Sequence, residues 1–243
     1  MIDRQELAQQ LRALGVGGGA LMVHASLRRL GTVAGGADGV LDALQEALAP
    51  DGTLLMMLGA DASVPFDAAT TPADPEMGVL AETFRRRPGV RVNDHAASRY
   101  AAIGPLAAPL LEPMPLHDYH GPRSVLERLV EIGGAVLRLG ADTDTMTLTH
   151  YAEYLAELPE KRRSRLRYLR ADIGEQWIES LDDTDGIADW ENGGDDDYFA
   201  RILIDFLATG KARTGLVGRC NAELVPARDF VEFATTWMED RLG

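Results

Sequence analysis

With 243 residues, 46% of them hydrophobic, the chain is long enough for one large domain or two small ones around a proper core. Its 38 acidic residues against 24 Lys and Arg leave a formal charge of −14, which argues against nucleic acid as a partner and for cationic ones. The single cysteine, Cys220, excludes a disulfide within the chain and fits a reducing cytoplasm, and no apolar run has the length of a membrane span or the character of a signal peptide.

Leu7, Leu11 and Leu14 predict a first helix stopped at Gly15, and Ala20 to Val23 a short buried strand ending at His24. Val40, Leu41, Leu44 and Leu48 mark the next helix, after the pair Gly35-Gly36, and Thr53 to Leu58 a second strand, parallel to the first. Residues 59–77 read as a long irregular segment of the kind that is usually functional or mobile. A helix over Val79 to Arg86, a loop running into a strand through Tyr100 to Ile103, and a helix from Ser124 to Val130 follow. Ala135 to Leu139 reads as another buried strand, and Leu148, Tyr151, Ala152 and Leu155 as a helix capped by Asp144 or Thr145 and ended by Pro159. Arg165 to Leu169 and Gln176 to Leu181 form an antiparallel hairpin. A helix through Tyr198, Ile202, Leu203 and Phe206, short strands at 214–217 and 223–225, and a last helix through Phe230 and Trp237 complete one interleaved domain over residues 1–243. The expected architecture is α/β, with helices layered on a mixed sheet.

His150 and Glu153 lie three apart and share one helix face, the arrangement of a general base with its orienting carboxylate. The same spacing also serves an ordinary core or surface histidine. From Asp172 to Asp197 eleven carboxylates occur with no Lys or Arg, which suits either a solvated loop or an electrostatic funnel for a cation. Gly35-Gly36 before a helix suits either an anion site or a plain turn, and it lacks the spaced glycines of a dinucleotide fingerprint. His117 and His120 have no third ligand at a metal-site spacing and are read as loop histidines, with no metal expected.

These stretches, taken in order, resemble the aminoglycoside 3-N-acetyltransferases, a family distinct from the GNAT fold. The resemblance is carried by His24-Ala25-Ser26-Leu27 with Gly31 and Gly35-Gly36-Ala37, and by Pro65-Phe66-Asp67, Thr70-Thr71-Pro72 and Met77-Gly78. It continues through Asp144 to Glu153, Ile178 to Asp182, Asp185-Gly186-Ile187 and Asp197-Tyr198-Phe199. It implies an antibiotic acetyltransferase-like fold and acetyl transfer from the cosubstrate acetyl-CoA to the 3-amino group of 2-deoxystreptamine aminoglycosides, giving resistance; the chain itself is expected in the cytoplasm, as a monomer or a homodimer. His150 would be the base and Glu153 its partner. Ser26, Leu27, Arg28, Val33, Gly35, Gly36, Ala37, Thr71 and Ser124 would hold the cofactor. Asp61, Asp67, Glu82, Thr147, Asp182 and Asp185 would hold the drug. Departures at Ala25, Ala96, Arg99 and Arg123 are expected to touch the cofactor channel and its mouth. The alternatives are an acetyltransferase for another small polyamine or amino sugar, and a protein that only sequesters a cationic drug.

Overall fold

A computed structural model describes residues 1–190 and 197–243. Asp3 caps the first helix, α1 (Arg4–Leu14), by accepting from the Gln5 N–H, and Gly15 closes it in the left-handed conformation. The strand β1 (Gly19–Ala25), the short helix α2 (Leu27–Leu30), helix α3 (Gly36–Leu48) and strand β2 (Gly52–Met57) follow. A 3₁₀ turn at Pro75–Met77 leads into α4 (Gly78–Arg85), β3 (Arg91–Val92), β4 (Tyr100–Ile103), α5 (Ala107–Leu110), α6 (Val125–Glu131) and β5 (Ala135–Leu139). Next come α7 (Leu148–Leu155), the hairpin of β6 (Arg163–Arg170) and β7 (Gly174–Leu181), α8 (Tyr198–Ala208), β8 (Arg213–Val217), β9 (Cys220–Pro226) and α9 (Ala227–Leu242).

Among the described residues seven strands form one mixed sheet in the order β3-β4-β2-β1-β5-β9-β8. The three central strands, β2, β1 and β5, are parallel, and antiparallel strands extend both sides. Period-two alternation splits β1 between two cores. Leu21 and Val23 face α1, α3 and α4, while Ala20 and Met22 join Val136 and Val225 under α5 to α9. His24 continues the Ala20–Met22 face, the side on which α7 lies. A third, smaller cluster around Phe66, Tyr119, Tyr168 and Ile178 joins the β6–β7 hairpin to the long 59–77 segment. Among the described residues no helix is long and apolar enough to cross a membrane.

Two expectations about α7 are corrected. Neither Asp144 nor Thr145 caps it: Thr147 takes that position with no side-chain cap bond. Its hydroxyl meets His24 Nε2 at 3.2 Å, and the Thr145 hydroxyl donates to Asp144 instead. The helix also ends at Leu155, ahead of Pro159, where Ala156 turns extended and Lys161 Nζ donates to the Tyr154 carbonyl.

Candidate active site

The parallel strands β1 and β5 end side by side, and the connections leaving them pass to opposite faces of the sheet. Crevices at such carboxyl ends are where open α/β sheets bind ligands. The turn after β5 begins at Gly140 with φ 62°, a conformation that suits glycine. Two arginines then fix that turn. Arg138, only 1% exposed, donates to the carbonyls of Ala141, Asp142 and Thr145, while Arg29 holds the Gly140 carbonyl and the Asp142 carboxylate. The chain thus enters α7 from a rigid base.

One turn into α7, His150 Nδ1 lies 3.0 Å from Glu153 Oε2. The Glu153 side chain is 1% exposed and its other oxygen accepts the Tyr198 hydroxyl, whose own oxygen accepts the Ile187 N–H. With Nδ1 committed to the carboxylate, Nε2 is the free nitrogen of the ring. Phe199 packs edge-on against the imidazole with centroids 4.9 Å apart, and His120 stacks on its face at 5.0 Å. Burial works against a charged imidazole here, but the hydrogen bond and charge of Glu153, aided by Asp183 and Asp197, outweigh it and raise the pKa of His150.

His150 opens into a cleft of about 500 Å³ bounded by Asp144, Asp183, Asp185, Asp189 and Asp197 together with Trp190. Asp189 is paired with Arg162, Asp183 accepts the Tyr119 hydroxyl at 2.6 Å, and Asp197 caps α8 through the Phe199 N–H. Burial raises the pKa of Asp197. A second cleft, of about 350 Å³, holds His24, Ser26, Met57, Met77 and Leu80, and Thr145 lines both. Burial, reinforced by the charge of Arg138, pushes the His24 pKa down to about 4, so near neutral pH its ring is uncharged beside the Thr147 hydroxyl.

The sequence-derived positions divide accordingly. His150 and Asp185 line one cleft, with Glu153 behind the imidazole and the Thr147 hydroxyl against His24, and Ser26 lines the other cleft with Leu27 and Arg28 opening α2. Gly35, with φ 81°, precedes Gly36 and Ala37 at the start of α3, and Val33 is buried beside them. Thr71 and Ser124 are buried, with their hydroxyls occupied by backbone partners: Asp67 N–H and Pro65 carbonyl for Thr71, Glu127 N–H and His120 carbonyl for Ser124. Asp182 accepts the N–H groups of Thr184 and Asp185 and so shapes the turn that presents Asp185.

Asp61 and Asp67 spend carboxylate oxygens on their own turns, through Ser63 and through Ala69 and Thr70. The structure does not bring Glu82 to His150. It binds Arg85 through both oxygens and the Ala73 N–H as well, which holds its pKa down at about 2. It lines a separate hollow on the α4 side of the sheet.

Other expectations change more. Arg99 is not at a channel mouth: it is fully buried, donates to the Pro72 and Ala68 carbonyls, and so pins the 59–77 segment. His117 and His120 both lie in the loop before α6, as read from the sequence, but only His117 is exposed, while His120 is buried and stacked on His150. Within the acidic stretch, Asp172, Glu175 and Glu179 pair with Arg170, Arg167 and Arg165 along the hairpin, and Glu191, Asp195 and Asp196 lie outside the described residues. Asp144, Asp183, Asp197, Tyr198 and Phe199 were not expected as site residues, although the acidic run and the Asp197-Tyr198-Phe199 motif signal them. Among the described residues no three His, Cys, Asp or Glu side chains converge as metal ligands would.

A family model of aminoglycoside 3-N-acetyltransferases matches residues 22–239. Aminoglycoside N(3)-acetyltransferase VII of Streptomyces paromomycinus is 36% identical over the whole chain, the match taking in 93% of that protein. The binary complex of AAC-IIIb with CoASH superposes with a TM-score of 0.92 at 37% identity, covering 99% of this chain and 97% of that one. AAC-VIa bound to sisomicin superposes at 0.89 with 34% identity, covering 98% and 97%. Fold and site thus define an α/β acyltransferase of the kind that uses acetyl-CoA. The chain belongs to the aminoglycoside 3-N-acetyltransferase family.

Proposed function

We propose that His150 is the general base of a direct acetyl transfer within a ternary complex, with the aspartate-lined cleft as the drug site and the cleft beside Ser26 as the thioester site. The reaction follows from the family: the chain moves an acetyl group from acetyl-CoA to the 3-amino group of a 2-deoxystreptamine aminoglycoside, which confers resistance. At neutral pH that amine is an ammonium with no lone pair to attack with, and carboxylates that bind the cation also stabilise its proton. A base at the nitrogen resolves this conflict. His150 Nε2 takes the proton. The freed lone pair forms the N–C bond to the thioester carbonyl, and the C–S bond breaks with its electron pair on sulfur. The proton on His150 then passes to the thiolate or to solvent. Because a thioester is already activated, no acyl-enzyme is required, and holding both substrates in place supplies much of the rate.

The observation that carries this reading is that Thr145 lines both clefts, with the Glu153-bound imidazole on the acidic one. For the groups that hold acetyl-CoA, the Ser26 hydroxyl and the Met57, Met77 and Leu80 side chains offer a mixed polar and apolar lining that suits the pantetheine arm, and the start of α3 suits phosphate. The Thr147 hydroxyl is our candidate donor to the oxyanion, since neutral His24 fixes it from the other side.

Initial rates of thiol release, with gentamicin and acetyl-CoA both varied, are expected to give intersecting double-reciprocal lines. Parallel lines would indicate an acyl-enzyme and overturn direct transfer. Raising the ionic strength from low to about 0.5 M is expected to raise KM for the drug at least roughly threefold, because screening weakens an ammonium–carboxylate contact. A KM for gentamicin that does not respond to salt would exclude the aspartate cleft as its site.

A further inference from the structure

His120 has no place in the chemistry above, yet it is among the most enclosed polar residues of the site. It is 2% exposed and comes from the loop before α6, thirty residues ahead of His150 in the chain. Its ring lies 5.0 Å from that of His150 with only 11° between the planes, so the two imidazoles are stacked. Neither of its nitrogens has a hydrogen bond that would explain it as a polar anchor. Nδ1 is buried without a partner among the described residues, and Nε2 stops 3.7 Å from Asp183 Oδ2, beyond hydrogen-bond length. What the residue offers its surroundings is the face of a flat ring. Tyr119 packs edge-on against it at 4.7 Å and ties itself to Asp183 through its hydroxyl.

We propose that His120 is a positioning residue for the acetyl transfer: its stacked ring, with Phe199 at the edge and Glu153 at Nδ1, holds the His150 imidazole in the one plane from which Nε2 reaches the substrate amine.

The proposal rests on the reading of His150 as the base. Three contacts from three elements define the plane of a ring. The carboxylate alone leaves it free to swing about the Nδ1 hydrogen bond, and Phe199 blocks only one direction of that swing. The stack has a second consequence. When His150 accepts a proton it becomes a cation lying against a π face, and burial together with the nearby charge of His150 keeps His120 uncharged beside it. A face stabilises an imidazolium without competing for its N–H groups, which remain with Glu153 and the substrate.

The test compares a side chain that keeps the face with one that removes it. His120→Leu is expected to lower kcat roughly ten- to thirtyfold, the scale of a cation–π contact plus a loosened ring, with KM for gentamicin and acetyl-CoA within about twofold. His120→Phe is expected to restore kcat to within about threefold of the parent, since a phenyl ring stacks as an imidazole does. Thermal unfolding confirms that each variant is folded, and His120→Asn gives the same comparison should the Leu variant not fold. A folded Leu variant that keeps its kcat, or a folded Phe variant that falls as far as Leu, overturns the proposal. Combining His120→Leu with His150→Ala separates this from the base itself: the double variant is expected to be no slower than His150→Ala alone. A further tenfold loss would mean that His120 does not act through His150, whereas an active His150→Ala single variant would overturn the assignment of the base.

Discussion

His150→Ala is expected to lower kcat for aminoglycoside acetylation by about two to four orders of magnitude, the usual range for a general base, while KM for both substrates stays within roughly threefold. The split follows from the site. On the proposed reading the cation is held by Asp144, Asp185 and their neighbours, which line the cleft with His150, and the thioester by the other cleft, beside Ser26. What disappears is the acceptor for the ammonium proton. The variant then reacts only through the small fraction of drug whose 3-amino group is already neutral, so its rate should climb with pH until that amine titrates, without the plateau of the parent. Added imidazole should recover part of the rate, because the lost ring was bounded by His120 and Phe199 and opened on the cleft. A kcat within threefold of the parent at neutral pH would remove His150 from the chemistry and point to solvent as the base.

The parts of this site that were readable beforehand are those set by spacing within one element. His150 and Glu153 stand three apart on a helix, so their meeting at 3.0 Å follows from helical geometry alone. The same rule, applied to Glu82 and Arg85, would have removed Glu82 from the drug-binding candidates, since that pair is also three apart and closes on itself. The central strands were legible because β1, β2 and β5 are short apolar runs buried on both faces, the signature of parallel strands between helical layers.

Contacts made across the chain left no local trace. Thr147 gives up the role of a helix cap because His24, 123 positions earlier, offers its hydroxyl a buried partner. Nothing local to His120 tells that its loop folds over α7, and nothing around Tyr198 tells that its hydroxyl ends on Glu153. Arg99 misled for the opposite reason: a charge in a loop reads as surface, and here it is buried because two carbonyls of the 59–77 segment turn inward to receive it.

Glu153→Gln keeps the shape of the site and removes its charge, and is expected to lower kcat at pH 8 by about ten- to a hundredfold, the scale of one hydrogen bond to a charged group. Two effects combine. In the parent, Glu153 is the leading reason that the pKa of His150 stands above the ordinary histidine value despite burial. A raised pKa means that the imidazole stays protonated, and useless as a base, to a higher pH, so kcat/KM in the parent should fall on the acid side through a midpoint above about 6.5. With the charge gone, burial prevails and the midpoint should move below that value. The variant therefore keeps a larger share of its own maximal rate at pH 6 than the parent does, while that maximum is lower because a weaker base takes the proton less readily. The tautomer is at stake as well. A carboxylate only accepts, which puts the hydrogen on Nδ1 and leaves Nε2 free, but an amide that turns its NH₂ toward the ring places the hydrogen on Nε2 and blocks it. Tyr198, whose hydroxyl binds the other Glu153 oxygen and accepts the Ile187 N–H, decides which way the amide faces, so Tyr198→Phe added to Glu153→Gln should change kcat again with the acid midpoint unmoved. A pH profile for Glu153→Gln that coincides with the parent's would show that this carboxylate neither charges nor orients the base.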